Sequence, residues 1–432
     1  MNKDNLLPGG RMRILFVTPY PPSRVRVRGY SFLDQLRQHH DVTIVTQCAS
    51  LSEVADVEKL CEQGYEVVMV KESKSTSALR SGLALASFIP VQVAYARSAR
   101  FTHAIQQLCE REHFDVIHVE HLRGIASMRP LIGAYPLVWD AVDCISLLSK
   151  HTIAAGPSLS VRTMAQLEYP RTHRYEARLL HELPHVVVTS ARDSEAMNAL
   201  RYGGKEEGEE ETPIHVIPNG VDLAYFDYRP QERKPLSVVF SGKMSYHANV
   251  STALHLYQRI MPLIWQQQPE ATLTIVGSKP PKAIQRLGAD PRVTVTGYVD
   301  DMRPYVAEAN VMLSPMVYSV GIQNKVLEAM ALGTPVIAAP QPVSALQARP
   351  EHDLLVADSP QAFADLTLRL FQDKELCATL SKNGRAYVEQ HHDWSNAMYT
   401  LVNVYEQAVA THREKNVLAA HSQYFGGSHV HA

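Results

Sequence analysis

The 432-residue sequence is short of the features that would take it outside ordinary globular chemistry. It has no long hydrophobic run. The most apolar extended segment, Ser81 to Ala96, lies between Arg80 and Arg97, is shorter than a bilayer span and contains Pro90. That excludes a spanning helix there and leaves a packed helix and loop, or a surface in contact with a membrane. Cysteine is scarce. Cys48, Cys61, Cys109, Cys144 and Cys377 are odd in number and form no CxxC pair, which speaks against a disulfide framework and for reduced thiols. An excess of either charge is also missing: 42 Lys and Arg stand against 44 Asp and Glu, so no global field points to nucleic acid. A mild asymmetry remains. Residues 1–180 hold 21 Lys and Arg against 17 Asp and Glu, and the rest holds 21 against 27. The start lacks a secretory pattern, because Ile14–Val17 is too short for an apolar signal core and reads as a first strand. A cytoplasmic chain is the expectation.

What is present is alternation. Short apolar runs, "RILFVTP", "DVTIVTQ", "FDVIHVE", "PLVWDAV" and "HVVVTS", are separated by helical patterns. Ser190 and Asp193 form a capping-box-like helix start after the last of them. A Gly-rich, charged break follows at Glu206 to Glu211, then the turn-forming Pro-Asn-Gly-Val-Asp. A second alternating block opens at "LSVVFSGKMS" and runs on through "ATLTIVGS", "VTVTGYV", "ANVMLSP" and "TPVIAAP". The fold class is therefore α/β, with two doubly wound parallel sheets of Rossmann-like design whose ligands belong at the carboxyl ends of the strands, facing a cleft. The expected domains are 1–213 and 214–394, followed by a helix at 395–417 returning to the first domain and a flexible tail at 418–432.

One stretch concentrates polar residues without a structural need for them. In Tyr318–Ile337, a Gly321-Ile322-Gln323-Asn324 run opens a helix starting near Gln323 or Asn324, and Lys325 and Glu328 follow. A helix start offers free N–H groups to an anion, and glycine lets backbone approach it. Lys325 can add a full charge to a diphosphate; Glu328, three residues on, can accept hydrogen bonds from a ribose diol. The spacing is equally that of an ordinary surface ion pair. Gly242 and Lys243 after one strand, and Tyr298 and Val299 after another, supply two more strand-end loops for the same mononucleotide site, the second to meet a base edge.

With these motifs in hand, "VIPNGVD", "VTGYVDDMRPYVAEANVMLSP" and "GIQNKVLEAMALGTPVIA" closely resemble the C-terminal domain of family 4 glycosyltransferases. "RILFVTPYPP", "RGYSFLDQLRQHHDVTIVT" and "FDVIHVE" resemble that family's N-terminal domain. The resemblance runs from about Arg11 to Ala408. It implies the two-domain GT-B fold and transfer of a sugar from a nucleotide diphosphate sugar, of UDP or GDP, with retention at the anomeric carbon. The acceptor is a saccharide or a lipid-linked saccharide. No cofactor or metal is implied, and no Asp-x-Asp dyad is present to hold one. Glu328 matches the second Glu of the family's E-x7-E motif, but Val320 stands where the first belongs. Lys243 matches the family's cation after the glycine; a second expected Lys is missing at Ala248, with Asn249 beside it. Lys243 and Lys325 are thereby assigned to the diphosphate.

On the other side, His118, Glu120 and His121 fall where the family carries its acceptor-side histidines. Glu120 or His121 would position acceptor or sugar while the leaving phosphate oxygen takes the acceptor proton. His118 is equally an inward strand histidine. Gly29 fits the family's first Gly-rich loop, and Arg24, Arg26 and Arg28 before it either grip an anionic acceptor or are solvated. The "GIQNK" variant resembles a bacterial exopolysaccharide and surface-sugar subgroup, which implies peripheral contact with the inner membrane face. Two other readings stay open: a non-catalytic nucleotide-sugar-binding partner, suggested by Val320, and a nucleotide-sugar epimerase of the same architecture.

Overall fold

A strand buried on both faces needs apolar side chains throughout, and a parallel pair needs a long crossover between its strands. Both conditions are met twice. The computed structural model describes residues 10–23, 26–84, 87–155, 159–202, 214–229, 233–316, 323–344 and 346–426. The first sheet contains β1 (Arg13–Thr18), β2 (Asp41–Cys48), β3 (Glu66–Lys71), β4 (Val116–Glu120), β5 (Leu137–Val142), β6 (Val186–Val188) and β7 (Ile214–Val216), in the order 3-2-1-4-5-6-7. The second contains β8 (Lys234–Ser241), β9 (Thr272–Val276), β10 (Val293–Val295), β11 (Ala309–Ser314), β12 (Val336–Ala338) and β13 (Leu355–Val356), in the order 10-9-8-11-12-13. Every pairing is parallel.

Period-two alternation sorts the side chains onto the sheet faces. In the first sheet Leu15, Val17, Ile117, Val119 and Trp139 enter one core with Phe101 and Ile105 of the helix Ala99–Arg111. Phe16, His118, Glu120 and Asp140 therefore share the opposite face. In the second sheet Val238, Phe240, Val311 and Leu313 face one core, and Val239 and Met312 face another built with the helix Asn324–Ala331. Helix starts are closed locally: Ser50 accepts from the Glu53 N–H, Ser98 from Phe101 and Asp193 caps with Ser190.

The chain forms two compact units. One holds the described residues up to Lys150, Met164–Ile217 and the chain from Ala397 onward; the other holds His151–Thr163 and Pro218–Asn396. At four points the structure differs from, or adds to, the sequence reading. Ile214–Val216, assigned to the second domain, pairs with β6 and ends the first sheet. β3, at the edge of its sheet and only half buried, was not expected as a strand. The helical stretch between His247–His255 and Met261–Gln267 is broken by a π-turn at Leu256–Ile260. Pro262 sits just beyond, and in an unbroken α-helix its ring would strike the carbonyl four residues back. The last helix runs from Trp394 to Gly426 rather than ending at Val417, helped by Ala419 and Ala420, so the expected flexible tail is helical up to that point. Among the described residues, no helix is long and apolar enough to cross a membrane.

The carboxyl ends of β8 and β9 meet backbone to backbone. The Gly242 N–H donates to the Val276 carbonyl at 2.9 Å, and a Cβ on Gly277 would lie 1.9 Å from the Gly242 oxygen. Gly277→Ala is therefore expected to lower unfolding free energy by about 3 kcal/mol, read from urea denaturation, because neither backbone can yield without parting β8 from β9.

Candidate functional site

Parallel strands that leave their sheet in opposite directions open a crevice at their carboxyl ends. In the second unit that point lies between β8 and β11, which are neighbours while their successors β9 and β12 lie on opposite sides. Gly242 and Lys243 follow β8; Ser314, buried and with its hydroxyl unpartnered among the described residues, ends β11. The helix Asn324–Ala331 starts where the sequence places it, with Gln323 as its N-cap residue. Its apolar positions Val326, Leu327, Ala329 and Met330 are buried, which leaves Lys325 and Glu328 on the remaining face.

Lys325 does not join Glu328 in a surface pair. Its Nζ donates to Asn249 Oδ1 at 2.5 Å, lies 3.6 Å from Met316 Sδ and sits 4.6 Å from the centre of the Phe240 ring. Asn249 in turn donates to the Lys243 carbonyl at 3.0 Å, and a Cβ on Gly242 would come within 2.8 Å of its amide nitrogen. One carboxamide thus ties the β8 loop to the helix. Every contact of the ammonium among the described residues is neutral. Burial lowers its pKa to about 8, opposed by the charge of Glu328. Burial pushes Glu328 up to about 7 against the pull of Lys325. Asn324 accepts from Asn219 at 3.3 Å, joining the Pro-Asn-Gly turn to the helix start. Tyr298 is exposed after β10, while Val299 packs against the second unit's core. Val320, Gly321 and Ile322 lie outside the described residues.

In the first unit the corresponding point lies between β1 and β4. Glu120 and Asp140 are register partners on adjacent strands, so two carboxylates stand side by side on the buried face. Arg28 divides their roles. Its Nε donates to Asp140 Oδ2 at 2.7 Å and its Nη1 to the Ile217 carbonyl at 3.0 Å. Glu120, pushed up to about 7 by burial first and by Asp140 second, packs against Gly29. A Cβ there would sit 2.7 Å from Oε2, so Gly29 makes room for Glu120's own carboxylate.

The expected arginine loop is corrected accordingly. Arg28 and Gly29 lie in the first turn of the helix Val27–Leu36, and Arg28 is buried rather than solvated. Arg26 is held by Glu53 at 2.8 Å and stacks over Tyr20; Arg24 lies outside the described residues. His118 is enclosed: it stacks on Phe16, meets Tyr405 Oη at Nδ1 at 3.0 Å, and burial lowers its pKa to about 4. It is fully buried, and its Nε2 lies 4.0 Å from Asp140 Oδ2, so it sits behind the strand-end carboxylates rather than at the surface. His121 follows β4 with φ 61° and bonds to Tyr20, and burial lowers it likewise to about 4.

Sequence reasoning passed over Asp143. It follows Val142, whose φ is 68°, and burial followed by Asp193 pushes its carboxyl up to about 7. A β-branched residue at positive φ is visible only in the structure. Because Arg28 and Asp140 are both buried, Arg28→Ala is expected to cost about 3–5 kcal/mol in chemical denaturation, while Arg28→Met with Asp140→Leu recovers most of that loss.

Comparison with known proteins matches both units. Residues 27–225 match the family model described as Glycosyltransferase Family 4, and residues 235–373 the one described as Glycosyl transferases group 1. YtcC of Bacillus subtilis (strain 168) is 28% identical over 194 residues, 41% of this chain. The chain spans about half the length of this curated relative, 46%. HepE of Anabaena, solved in complex with UDP, aligns with a TM-score of 0.65 at 16% identity, covering 92% of this chain and 100% of that one. Sucrose-phosphate synthase from Thermosynechococcus elongatus gives 0.65 at 16% identity, covering 93% and 100%. Over residues 27–225 and 235–373 the chain thus matches two glycosyltransferase family models in succession, and its two parallel-sheet units have the GT-B fold.

Proposed function

We propose that this chain transfers a sugar from a nucleotide diphosphate sugar to a saccharide or lipid-linked saccharide, with retention and without a metal, in cell-surface polysaccharide assembly at the cytoplasmic face of a membrane. The observation that carries the reading is Lys325: a half-buried ammonium whose contacts among the described residues are a carboxamide, a thioether and a ring. A cation removed from water without an anion in contact is costly, and a diphosphate relieves that cost. Lys243, exposed on the neighbouring strand-end loop, adds a second charge. Glu328 receives the ribose diol, Tyr298 and Val299 the base, and the Gly321–Asn324 run the sugar. UDP is the favoured nucleotide, in line with the UDP bound to HepE.

In the transfer, the bond from anomeric carbon to phosphate oxygen breaks and the acceptor oxygen bonds to the same face. The acceptor proton passes to the departing phosphate oxygen, whose charge Lys325 stabilises. Glu120 and His121, at the end of β4, hold the acceptor or sugar in place.

UDP-glucose is a suitable probe because its diphosphate has no titrating proton near neutrality. Lys325 is cationic below about pH 8 and Glu328 anionic above about pH 7. Affinity by calorimetry is therefore expected to peak between these values and to fall on both sides, by up to about tenfold per pH unit. Lys325→Met should flatten the alkaline limb and Glu328→Gln the acid limb; a flat wild-type profile would overturn the assignment. Lys325→Ala and Glu328→Ala are each expected to weaken nucleotide binding by about tenfold to hundredfold. A screen of UDP-, GDP- and ADP-sugars with acceptor, read by product mass and anomeric NMR, tests transfer itself. Chelator should leave the rate unchanged. Binding without turnover, or a changed donor without acceptor, would replace transfer by one of the other two readings.

A further inference from the structure

An asparagine in the first turn of a helix ordinarily turns its side chain to nearby backbone. Asn249 lies in the first turn of the helix His247–His255, and both ends of its side chain are engaged outside that helix. Nδ2 donates to the Lys243 carbonyl in the loop after β8 at 3.0 Å. Oδ1 accepts from Lys325, 76 positions later on the helix Asn324–Ala331, at 2.5 Å. The first bond holds the amide with its oxygen toward the ammonium. The residue is 6% exposed, so little water competes for either bond. Gly242 makes the room. Its φ is 152°, and a Cβ there would lie 2.8 Å from Asn249 Nδ2 and 3.1 Å from Lys325 Nζ.

What the ammonium meets decides what it can still do. A lysine carries three N–H donors on a flexible four-carbon stem, so its charge has no direction of its own. Among the described residues one oxygen receives it, Asn249 Oδ1. The Met316 sulfur is a weak acceptor, and the Phe240 ring attracts the charge without a conventional hydrogen bond. Lys243 and His247, on the β8 loop and at the start of the helix beside it, are exposed. Glu328, on Lys325's own helix, is the charge that acts on the ammonium. A carboxylate in place of Asn249 would close an ion pair and cancel the charge inside the protein. An alkyl side chain would leave the stem free to swing. A carboxamide does neither: it fixes the ammonium and leaves its charge uncancelled.

We propose that Asn249 is the positioning residue of this anion site: its carboxamide holds the Lys325 ammonium at the carboxyl end of β8 and leaves that charge for the diphosphate of a nucleotide sugar to neutralise. The inference rests on the nucleotide reading above and adds a residue which that reading did not include. Asn249 acts through Lys325, not by touching substrate.

Two measurements on the full chain test it: calorimetric binding of UDP-glucose, and an NMR titration of Lys325 in carbon-13 lysine-labelled protein without nucleotide. The Lys325 signal is identified by its loss in Lys325→Met, and thermal midpoints show which variants are folded. Asn249→Asp has nearly the same size and shape. It should lower UDP-glucose affinity by about tenfold or more, because its carboxylate competes with phosphate for the ammonium. It should also move the Lys325 titration upward by at least about one pH unit, because an adjacent negative charge favours the cation. Asn249→Ala keeps the test open if Asn249→Asp fails to fold. It should weaken UDP-glucose binding by about tenfold in the wild-type background and by no more than about twofold in Lys325→Met. Equal losses in both backgrounds would make Asn249 merely structural and overturn the inference. So would a folded Asn249→Asp that binds within about twofold of wild type or leaves the Lys325 titration where it was. A wild type without affinity for UDP-glucose would overturn the nucleotide reading itself and this inference with it.

Discussion

A parallel strand cannot be joined to its neighbour by a tight turn. Every crossover in this chain has to carry the polypeptide back along the sheet, so the carboxyl ends of all strands in a sheet lie along one edge. The rest of the structure depends on that constraint. It gathers residues far apart in sequence, Gly242, Ser314 and Lys325 in one unit, Arg28, Glu120 and Asp140 in the other, at the ends of neighbouring central strands. Strand order 3-2-1-4 recurs in both sheets, and each crevice falls between the strands that play parts one and four.

The two edges use burial in opposite ways. In the first unit a buried cation has found its anion, Arg28 with Asp140, while burial first and Asp140 second raise the pKa of the neighbouring Glu120. In the second unit Lys325 has only neutral contacts among the described residues, and burial lowers its pKa against the charge of Glu328. A paired charge fixes a helix to a sheet. A charge held by a carboxamide, with an acid nearby that also resists ionising, is the arrangement on which the proposed nucleotide site rests.

Much of this was legible in the sequence because it is local. Short β-branched runs announce parallel strands, and the start of the helix at Asn324 followed from the polar run before an apolar stripe. The strands β3 and β13 were not legible, one for lying half buried at an edge and the other for having two residues. Long-range electrostatics were hidden altogether. Arg28 reads as a loop cation until Asp140, 112 positions later, is laid beside it. Asn249 reads as a neighbour of a missing lysine until its carboxamide is found holding Lys325. The π-turn had a sign, Pro262, but proline shows where a helix is disturbed and not how the disturbance is absorbed.

The helix Trp394–Gly426 gives the molecule a timetable. From Ala397 onward it belongs to the first unit, where Tyr405, itself fully buried, covers His118. Synthesis proceeds from the other end, so the strands bearing Phe16 and His118 leave the ribosome long before the side chain that closes over them. At ordinary elongation rates the intervening second unit takes on the order of 10–40 s to make. Throughout that interval the first sheet exists with part of one face uncovered. Its completion is therefore coupled to the synthesis of its neighbour, and the chain's early half is most exposed to misassembly while its later half is being built.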